Sequence, residues 1–251
     1  MAKELEGFNF EQRHGKARVR VGRVWRSKDG CRHFMVEWNV NISLLSNCVA
    51  AYVRDDNSDI VATDTMKNTV YVKAKECSEQ LSAEEFAILL GKHFTSFYPQ
   101  VFTAIVKIVE KPWERISVNG QPHEHGFKLG SEKHTTEAIV QKSGVLQLTS
   151  GVEGLSLLKT TQSGFEGFIR DKYTALPETR ERMLATEVTA SWRFSDISSV
   201  KLKMPNIHFL PVNISSKDHG SIVKFDDDVY LPTDEPHGSI EASLSRFWSK
   251  M

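Results

Sequence analysis

The sequence has no excess of either charge and no long apolar run. Its 32 Lys and Arg residues balance its 32 Asp and Glu residues, so the formal net charge is zero. Proteins that bind nucleic acids or membrane surfaces usually carry a basic excess, so neither partner is expected. No apolar run reaches the roughly 18 residues that a spanning helix needs, and the polar N-terminus shows no signal peptide.

Cysteine is scarce, and the common catalytic motifs are missing. The three cysteines are an odd number without metal-like spacing, which argues against a disulfide framework and a structural zinc site and favours a reducing compartment. The chain lacks glycine-rich nucleotide loops, the HExxH zinc-protease motif and the GxSxG hydrolase motif. Any enzymatic activity must therefore depend on scattered single residues.

Hydrophobic periodicity predicts a protein rich in β-strands with two helices in its first half. Apolar residues alternate with polar ones over residues 34–44, a pattern typical of a strand with one buried face. Ser82 and Glu85 form a capping box that opens a helix, and Pro99 closes that helix. Other helical segments are predicted at 65–77 and 177–184, and other strands at 17–26, 101–110, 114–118, 123–129, 136–148, 155–160, 185–194 and 199–212.

Residues 155–182, LSLLKTTQSGFEGFIRDKYTALPETRER, combine a Lys-Thr-Thr-x-Ser-x-Phe run with spaced aromatic residues, a leucine and an arginine. This arrangement resembles the signature of the urate oxidase (uricase) family, and its residues are most similar to those of the plant members. Residues 13–16, 61–69 and 204–208 resemble three further motifs of that family, which contain its lysine, its threonine-aspartate pair and its asparagine-x-histidine pair. The resemblance extends over nearly the whole chain.

The resemblance implies an α+β tunnelling fold of tandem antiparallel ββααββ halves, with helices outside the sheet. Oligomerisation would close the sheets into a barrel, and barrels would stack into a homotetramer. The predicted halves are 1–130 and 131–251. The second half lacks most of its helices, because the segment that family members carry between Phe194 and Val200 is reduced to a junction near 195–198. A substrate-clamping glutamine is lost with that segment.

The resemblance also implies a site for urate, which is a flat, anionic heterocycle. Arg182 would contact it through the planar guanidinium fork, which matches two adjacent acceptors as a lysine cannot. Its alternative role is a surface salt bridge. Phe165 would stack on the purine ring, and its alternative role is that of a core phenylalanine.

A proton-accepting group would come from Lys16 and Thr63. A partly buried lysine beside a hydroxyl suits general base work. Thr63 and Asp64 would act from the neighbouring subunit and bind urate there. The alternatives are a solvated terminal charge for Lys16 and a helix N-cap for Thr63.

Asn206 and His208 lie two residues apart on a predicted strand, so their side chains point to one face. By resemblance, Asn206 would hold dioxygen or water above the purine and His208 would relay protons. His123 and His125 also have a spacing that metal ligands use, but no third ligand is evident in the sequence.

The implied reaction converts urate, dioxygen and water into 5-hydroxyisourate and hydrogen peroxide, without a cofactor. One alternative is a catalytically impaired or dead member of the family, because the glutamine is missing. Another is a β-rich ligand-binding module in the lipocalin style, which the two helices between the strands argue against. The C-terminal Ser249-Lys250-Met251 resembles the Ser-Lys-Leu peroxisomal address. An apolar stripe of Val188, Ala190 and Trp192 is expected to lie open to water where helices are missing.

Overall fold

The computed structural model describes residues 10–194 and, beyond them, the backbone of residues 212–218, 223–226, 229–231 and 239–243. Its main element is an antiparallel sheet of eight strands in the order β1-β2-β3-β6-β7-β8-β9-β12. The strands are β1 (His14–Arg26), β2 (His33–Ser46), β3 (Val101–Glu110), β4 (Trp113–Val118), β5 (Gln121–Leu129), β6 (Lys133–Gln141), β7 (Leu146–Lys159), β8 (Leu184–Arg193), β9 (Val212–Asp218), β10 (Val223–Asp226), β11 (Val229–Leu231) and β12 (Ser239–Ser243).

The helices are α1 (Ala50–Val53), α2 (Thr63–Glu76) and α3 (Ala83–Phe97), so every helix among the described residues precedes residue 98. The predicted capping box of α3 is confirmed. The backbone N–H of Glu85 donates to Ser82 Oγ at 3.1 Å, and the backbone N–H of Ser82 donates to Glu85 Oε2 at 2.8 Å. No helix of the described part is long and apolar enough to cross a membrane.

The core lies between the sheet and helices α2 and α3. Strand β2 buries every second side chain, as its alternating sequence predicts. Trp38 of this strand stacks on Phe86 of α3, with the ring centres 4.5 Å apart. The apolar faces of α2 and α3 cover one face of the sheet, and no helix of the described residues packs on the opposite face of β1 to β3.

The sheet continues without a break from the first predicted half into the second. Strand β3 pairs with β6, which lies on the other side of the predicted boundary between residues 130 and 131. The division of the chain at that boundary stays a prediction. The predicted hairpin around Asn119 and Gly120 forms as β4 and β5, a separate two-stranded sheet. Both turn residues have positive φ values, 51° and 76°, which is the geometry of a type I′ turn.

Three sequence-based expectations for the second half are corrected. The segment 136–148 is not one strand, because a turn at Lys142 and Ser143 separates β6 from β7. The segment 177–184 is not helical, since Thr179 pairs with Phe165 in an isolated β-bridge. The apolar stripe on β8 is not open to water: Ala190 and Trp192 are only 6% and 3% exposed. Strand β8 pairs with β9, whereas the predicted strand 199–212 lies almost wholly outside the described residues.

A buried polar cluster joins α3 to the centre of the sheet. The carboxylate of Glu84, 4% exposed, lies with Oε1 2.9 Å from His134 Nε2 and accepts hydrogen bonds from the hydroxyls of Ser150 at 2.6 Å and Thr136 at 3.2 Å. Burial alone would raise the pKa of Glu84, but the close approach and charge of His134, together with the Ser150 hydroxyl, outweigh burial and lower the pKa to about 2. Burial likewise lowers the pKa of His134, but Glu84 outweighs it and raises that pKa above 6.5.

Replacing Glu84 with glutamine is expected to reduce the free energy of unfolding by about 3 kcal/mol near pH 6, because His134 then loses its buried counter-charge. The contribution of Glu84 is fully present above its unfolded pKa and is lost as pH falls towards about 2. The contribution of His134 to the free energy of unfolding is fully present below pH 6.5 and is lost as the pH rises through the raised pKa that His134 has in the folded protein. Urea unfolding across this range should therefore show a flatter pH profile for Glu84→Gln.

Glu114→Gln is the matched control for that measurement. Glu114 pairs with Lys128 at 3.0 Å on the surface, where both side chains are largely exposed. An exposed pair contributes about 0–1 kcal/mol, so this variant should keep the pH profile of the parent chain. Equal losses in the two variants would show that the buried cluster has no special role in stability.

Candidate active site

Lys16 lies near the start of β1, where the backbone approaches β2 unusually closely. A Cβ atom on the preceding Gly15 would lie 2.0 Å from the carbonyl oxygen of Ile42, so only glycine fits there. The strand register shifts between Lys16 and Val19, and Arg18 has a φ of 59°. This irregularity re-aims the side chains at the beginning of the edge strand, as bulges do.

The start of β1 contacts the segment that precedes α2. His14 Nε2 lies 3.3 Å from the carbonyl oxygen of the buried Val61, two residues before the helix begins. Thr63 is the first residue of α2 and is exposed. The alternative that Thr63 is the helix N-cap is wrong, because Ala62 has that position and provides no side-chain cap. The N-terminus of α2 therefore presents backbone N–H groups towards solvent, as an anion-binding helix end does.

Asp64 connects this helix end with Lys16. Its carboxylate accepts hydrogen bonds from Lys67 Nζ at 2.7 Å and from Asn68 Nδ2 at 2.8 Å. The bond from Lys67 is the main cause of the lowered pKa of Asp64, and the charge of Lys16 contributes as well. Lys16 is thus near enough to Asp64 for its charge to act on that carboxylate, and Thr63 is the neighbour of Asp64 at the helix end. These three residues are called the helix-end group below.

Phe165 and Arg182 form a second group in the long connection between β7 and β8. The backbone N–H of Phe165 donates to the carbonyl of Thr179 at 2.7 Å, and the reverse bond is 3.2 Å long, so the connection is closed at its base. The guanidinium carbon of Arg182 lies over the Phe165 ring, 5.4 Å from its centre. These two residues are called the ring-arginine group below.

The ring-arginine group has unused binding capacity. Phe165 is 42% exposed, so it is not a core phenylalanine. Arg182 Nε is buried and has no hydrogen-bond partner, so Arg182 does not use this nitrogen in a surface salt bridge. A flat anion could therefore contact both an aromatic face and a guanidinium donor at this place.

The two groups lie far apart within one chain. The strand register connects Lys16, through β2, β3 and β6, with Leu148 on β7. Four strand spacings amount to about 19 Å across the sheet. The ring-arginine group begins beyond Lys159, another eleven residues along β7, which adds roughly 36 Å. No purine-sized molecule can reach both groups in a single copy.

Other predicted site residues are placed less fully. Asn206 and His208 lie outside the described residues, as do the junction at 195–198 and the C-terminal tripeptide. The rings of His123 and His125 lie 4.7 Å apart, and His33 is 5.7 Å from His125. No three His, Cys, Asp or Glu side chains in the described part are arranged to hold a metal ion.

The sequence interpretation missed the residues that hold the two groups in place. His14 was noted only as part of the lysine motif, although it links β1 to α2. Phe168 stacks on Phe165 with ring centres 4.7 Å apart and planes within 10°. The spaced aromatic residues of the signature, with Gly167 between Phe165 and Phe168, were the available signal for this stack.

Known proteins resemble the chain over its whole length. A family model described as Uricase matches residues 12–139 and 148–198. The chain is 67% identical to Uricase-2 isozyme 2 of Canavalia lineata and 62% identical to Uricase of Arabidopsis thaliana, each alignment covering 100% of both proteins. The crystal structure of uricase from Arthrobacter globiformis superposes with a TM-score of 0.78 at 30% identity, over 97% of this chain and 96% of that one.

Proposed function

The chain belongs to the uricase family, and on this premise we propose that it oxidises urate at a site assembled from the helix-end and ring-arginine groups. The reaction takes one urate, one dioxygen and one water and gives 5-hydroxyisourate and hydrogen peroxide. Urate loses two electrons and gains a hydroxyl from water, while dioxygen gains two electrons and two protons. The α+β tunnelling fold expected from the sequence is confirmed by the solved uricases.

The observation that carries the proposal is the ring-arginine group. Phe165 offers a half-exposed ring to the flat face of urate, and Arg182 lies close enough to bind the same molecule along its edge. The unpartnered Nε of Arg182 is one donor, and a terminal nitrogen supplies the parallel second one. Stacking fixes the plane of urate, and the guanidinium fork fixes its rotation within that plane.

The helix-end group supplies the proton-accepting half of the site. The exposed N-terminus of α2 favours an anionic substrate through its free N–H groups and its dipole. Lys16 and the hydroxyl of Thr63 take up the proton that urate loses before it reacts with dioxygen. The carboxylate of Asp64 keeps a negative charge beside Lys16, which holds that side chain at the helix end.

Two copies of the chain must meet to complete one site. The separation of the two groups within one copy, tens of ångströms by the strand register, supports an arrangement in which each copy contributes one group. A homotetramer of stacked barrels would meet this requirement, because its symmetry would pair every helix-end group with the ring-arginine group of another copy. Asn206 and His208 complete the proposal, with Asn206 on dioxygen or water and His208 as the proton relay.

Complementation between two inactive variants tests the shared site. Lys16→Ala and Arg182→Ala chains should each be inactive, whereas co-expression should restore on the order of a quarter of the parent activity, because random association returns some sites with both groups intact. Urate consumption, followed at its absorbance band, is the readout.

The matched control combines Lys16→Ala with Thr63→Ala. Both changes damage the same group, so no pairing of these chains yields a complete site and no activity should return. Recovery in this control, or none in the first mixture, contradicts a site shared between copies. Absence of urate oxidation by the parent chain contradicts the proposed function itself.

A second candidate is an impaired urate oxidase, and two observations favour weighing it. The alignment with the Canavalia lineata relative spans 303 positions, more than the 251 residues of this chain. The second match to the family model ends at residue 198, at the junction where the sequence places the missing segment. These observations support the loss of a substrate clamp, which leaves the reaction unchanged but slows it.

We further propose that Ser249-Lys250-Met251 directs the protein to peroxisomes. The reaction releases hydrogen peroxide, which suits a compartment that destroys it. Because the import receptor reads a free C-terminus, a fluorescent tag fused after Met251 should leave the protein in the cytosol. The same tag fused before Met1 should enter peroxisomes. Peroxisomal import of the C-terminally tagged form would refute this address.

A further inference from the structure

The stacking ring of the proposed site is one of two parallel rings, each with a guanidinium group near it. Phe168 is stacked on Phe165, with ring centres 4.7 Å apart. The guanidinium carbon of Arg170 lies 5.3 Å from the centre of the Phe168 ring, and that of Arg182 lies 5.4 Å from the centre of the Phe165 ring. Each ring therefore has a cation within the range of a cation–π contact.

The backbone brings the two stacked rings together within a very short stretch of chain. Gly167 has a φ of 70°, in the left-handed region, and its position reverses the chain so that Phe168 returns over Phe165. The far end is fixed as well, because Arg170 Nη1 donates to the carbonyl of Leu176 at 2.7 Å. The stack is thus held from the side of Phe168.

Phe165 by itself has little to fix its ring. Almost half of its surface is exposed, whereas Phe168 is half-buried. Phe168 covers one face of the Phe165 ring, so a flat ligand would stack on the other face, beside the Arg182 guanidinium, whose carbon lies 5.4 Å from the ring centre. A ligand that stacks on a ring already held in place avoids the cost of ordering that ring on binding.

We propose that Phe168 is a positioning residue that fixes the orientation of Phe165 for stacking on urate. The inference rests on the proposed function and deepens it, because it assigns a role to a side chain that does not touch the substrate. Phe168 acts only through Phe165, from the face that urate leaves free.

Urate binding without dioxygen tests this role, since no turnover then occurs. Phe168→Ala and Phe168→Leu should each weaken urate binding about five- to ten-fold in anaerobic equilibrium dialysis, and Phe168→Tyr, which keeps the stacked ring, should restore it. In a Phe165→Leu background, adding Phe168→Ala should change the affinity less than about two-fold, because the ring to be positioned is gone. A merely structural role would lower the affinity equally in both backgrounds.

Phe97→Ala is the control, because it removes a ring stacked on His93 at 5.5 Å on α3, outside both groups. It should leave urate affinity unchanged. Two results would overturn this inference alone, provided that the parent protein binds urate. One is an affinity of Phe168→Ala equal to that of the parent, and the other is an equal loss of affinity on adding Phe168→Ala with and without Phe165→Leu. Parent protein that binds no urate overturns the proposed function, and this inference with it.

Discussion

Replacing Arg182 with lysine is expected to abolish detectable urate binding while the fold stays intact. Lysine keeps the positive charge but has one nitrogen in place of the planar fork, so it cannot make two parallel hydrogen bonds to adjacent acceptors. Each hydrogen bond to a charged group contributes about 1.5–3 kcal/mol, and losing one weakens binding by a factor of roughly ten to a hundred. Lysine also removes the guanidinium group whose carbon lies 5.4 Å from the centre of the Phe165 ring.

Anaerobic equilibrium dialysis measures this loss directly, and circular dichroism reports the fold. Arg180→Lys is the matched control, because Arg180 lies two residues away, pairs with Glu166 at 2.9 Å and has a side chain that is 86% exposed. Its replacement should leave urate binding unchanged. Unaltered affinity in Arg182→Lys would refute the bidentate role. If the parent chain binds too weakly to measure, both variants belong in a chain with the missing segment restored.

The second large effect concerns the segment that the sequence comparison with the family predicts to be missing after Phe194. We expect the chain to oxidise urate about a hundred to a thousand times more slowly than a full-length relative. The removal of one positioned donor from a catalytic site costs roughly 2.7–4 kcal/mol of transition-state stabilisation. Inserting the corresponding segment of the Canavalia lineata relative between Phe194 and Val200 should raise the steady-state turnover rate to that of the full-length relative.

A second insertion separates the lost donor from the lost helices. The same segment with its clamping glutamine changed to alanine brings back the helices but no amide, so turnover should stay low while thermal stability rises. Turnover of the unmodified chain equal to that of the full-length relative would show that the shortened segment does no catalytic harm. Equal recovery by both insertions would assign the defect to stability alone.

Local patterns predicted the first half of the fold well. The alternation in β2 and the capping box of α3 each depend on neighbours in sequence, and both appear as expected. The pairing of β3 with β6 does not follow from such patterns, because a whole hairpin lies between these strands. The segment 177–184 was misjudged for a related reason. Its apparent helical turn is overridden by the bridge between Thr179 and Phe165, a contact across fourteen residues.

The site could be predicted by motif but not by geometry. The signature identified Phe165 and Arg182, and the structure places them together. The lysine and threonine-aspartate motifs identified the helix-end group, whose members meet because His14 holds β1 against the entrance of α2. The family resemblance implied that Thr63 and Asp64 act from the neighbouring subunit, but the distance between the two groups within one copy depends on strand order and register, which local patterns do not give.

The proposed sharing of the site between copies would make catalysis a collective property of the protein. In that proposal, a single folded copy has its stacking ring and its proton-accepting group at two separate places, so an isolated chain is expected to produce no peroxide. Activity per molecule should therefore fall when the protein is diluted below its assembly concentration, even though each copy keeps its fold. Under this proposal, a newly made chain would release no peroxide until it associates with other copies.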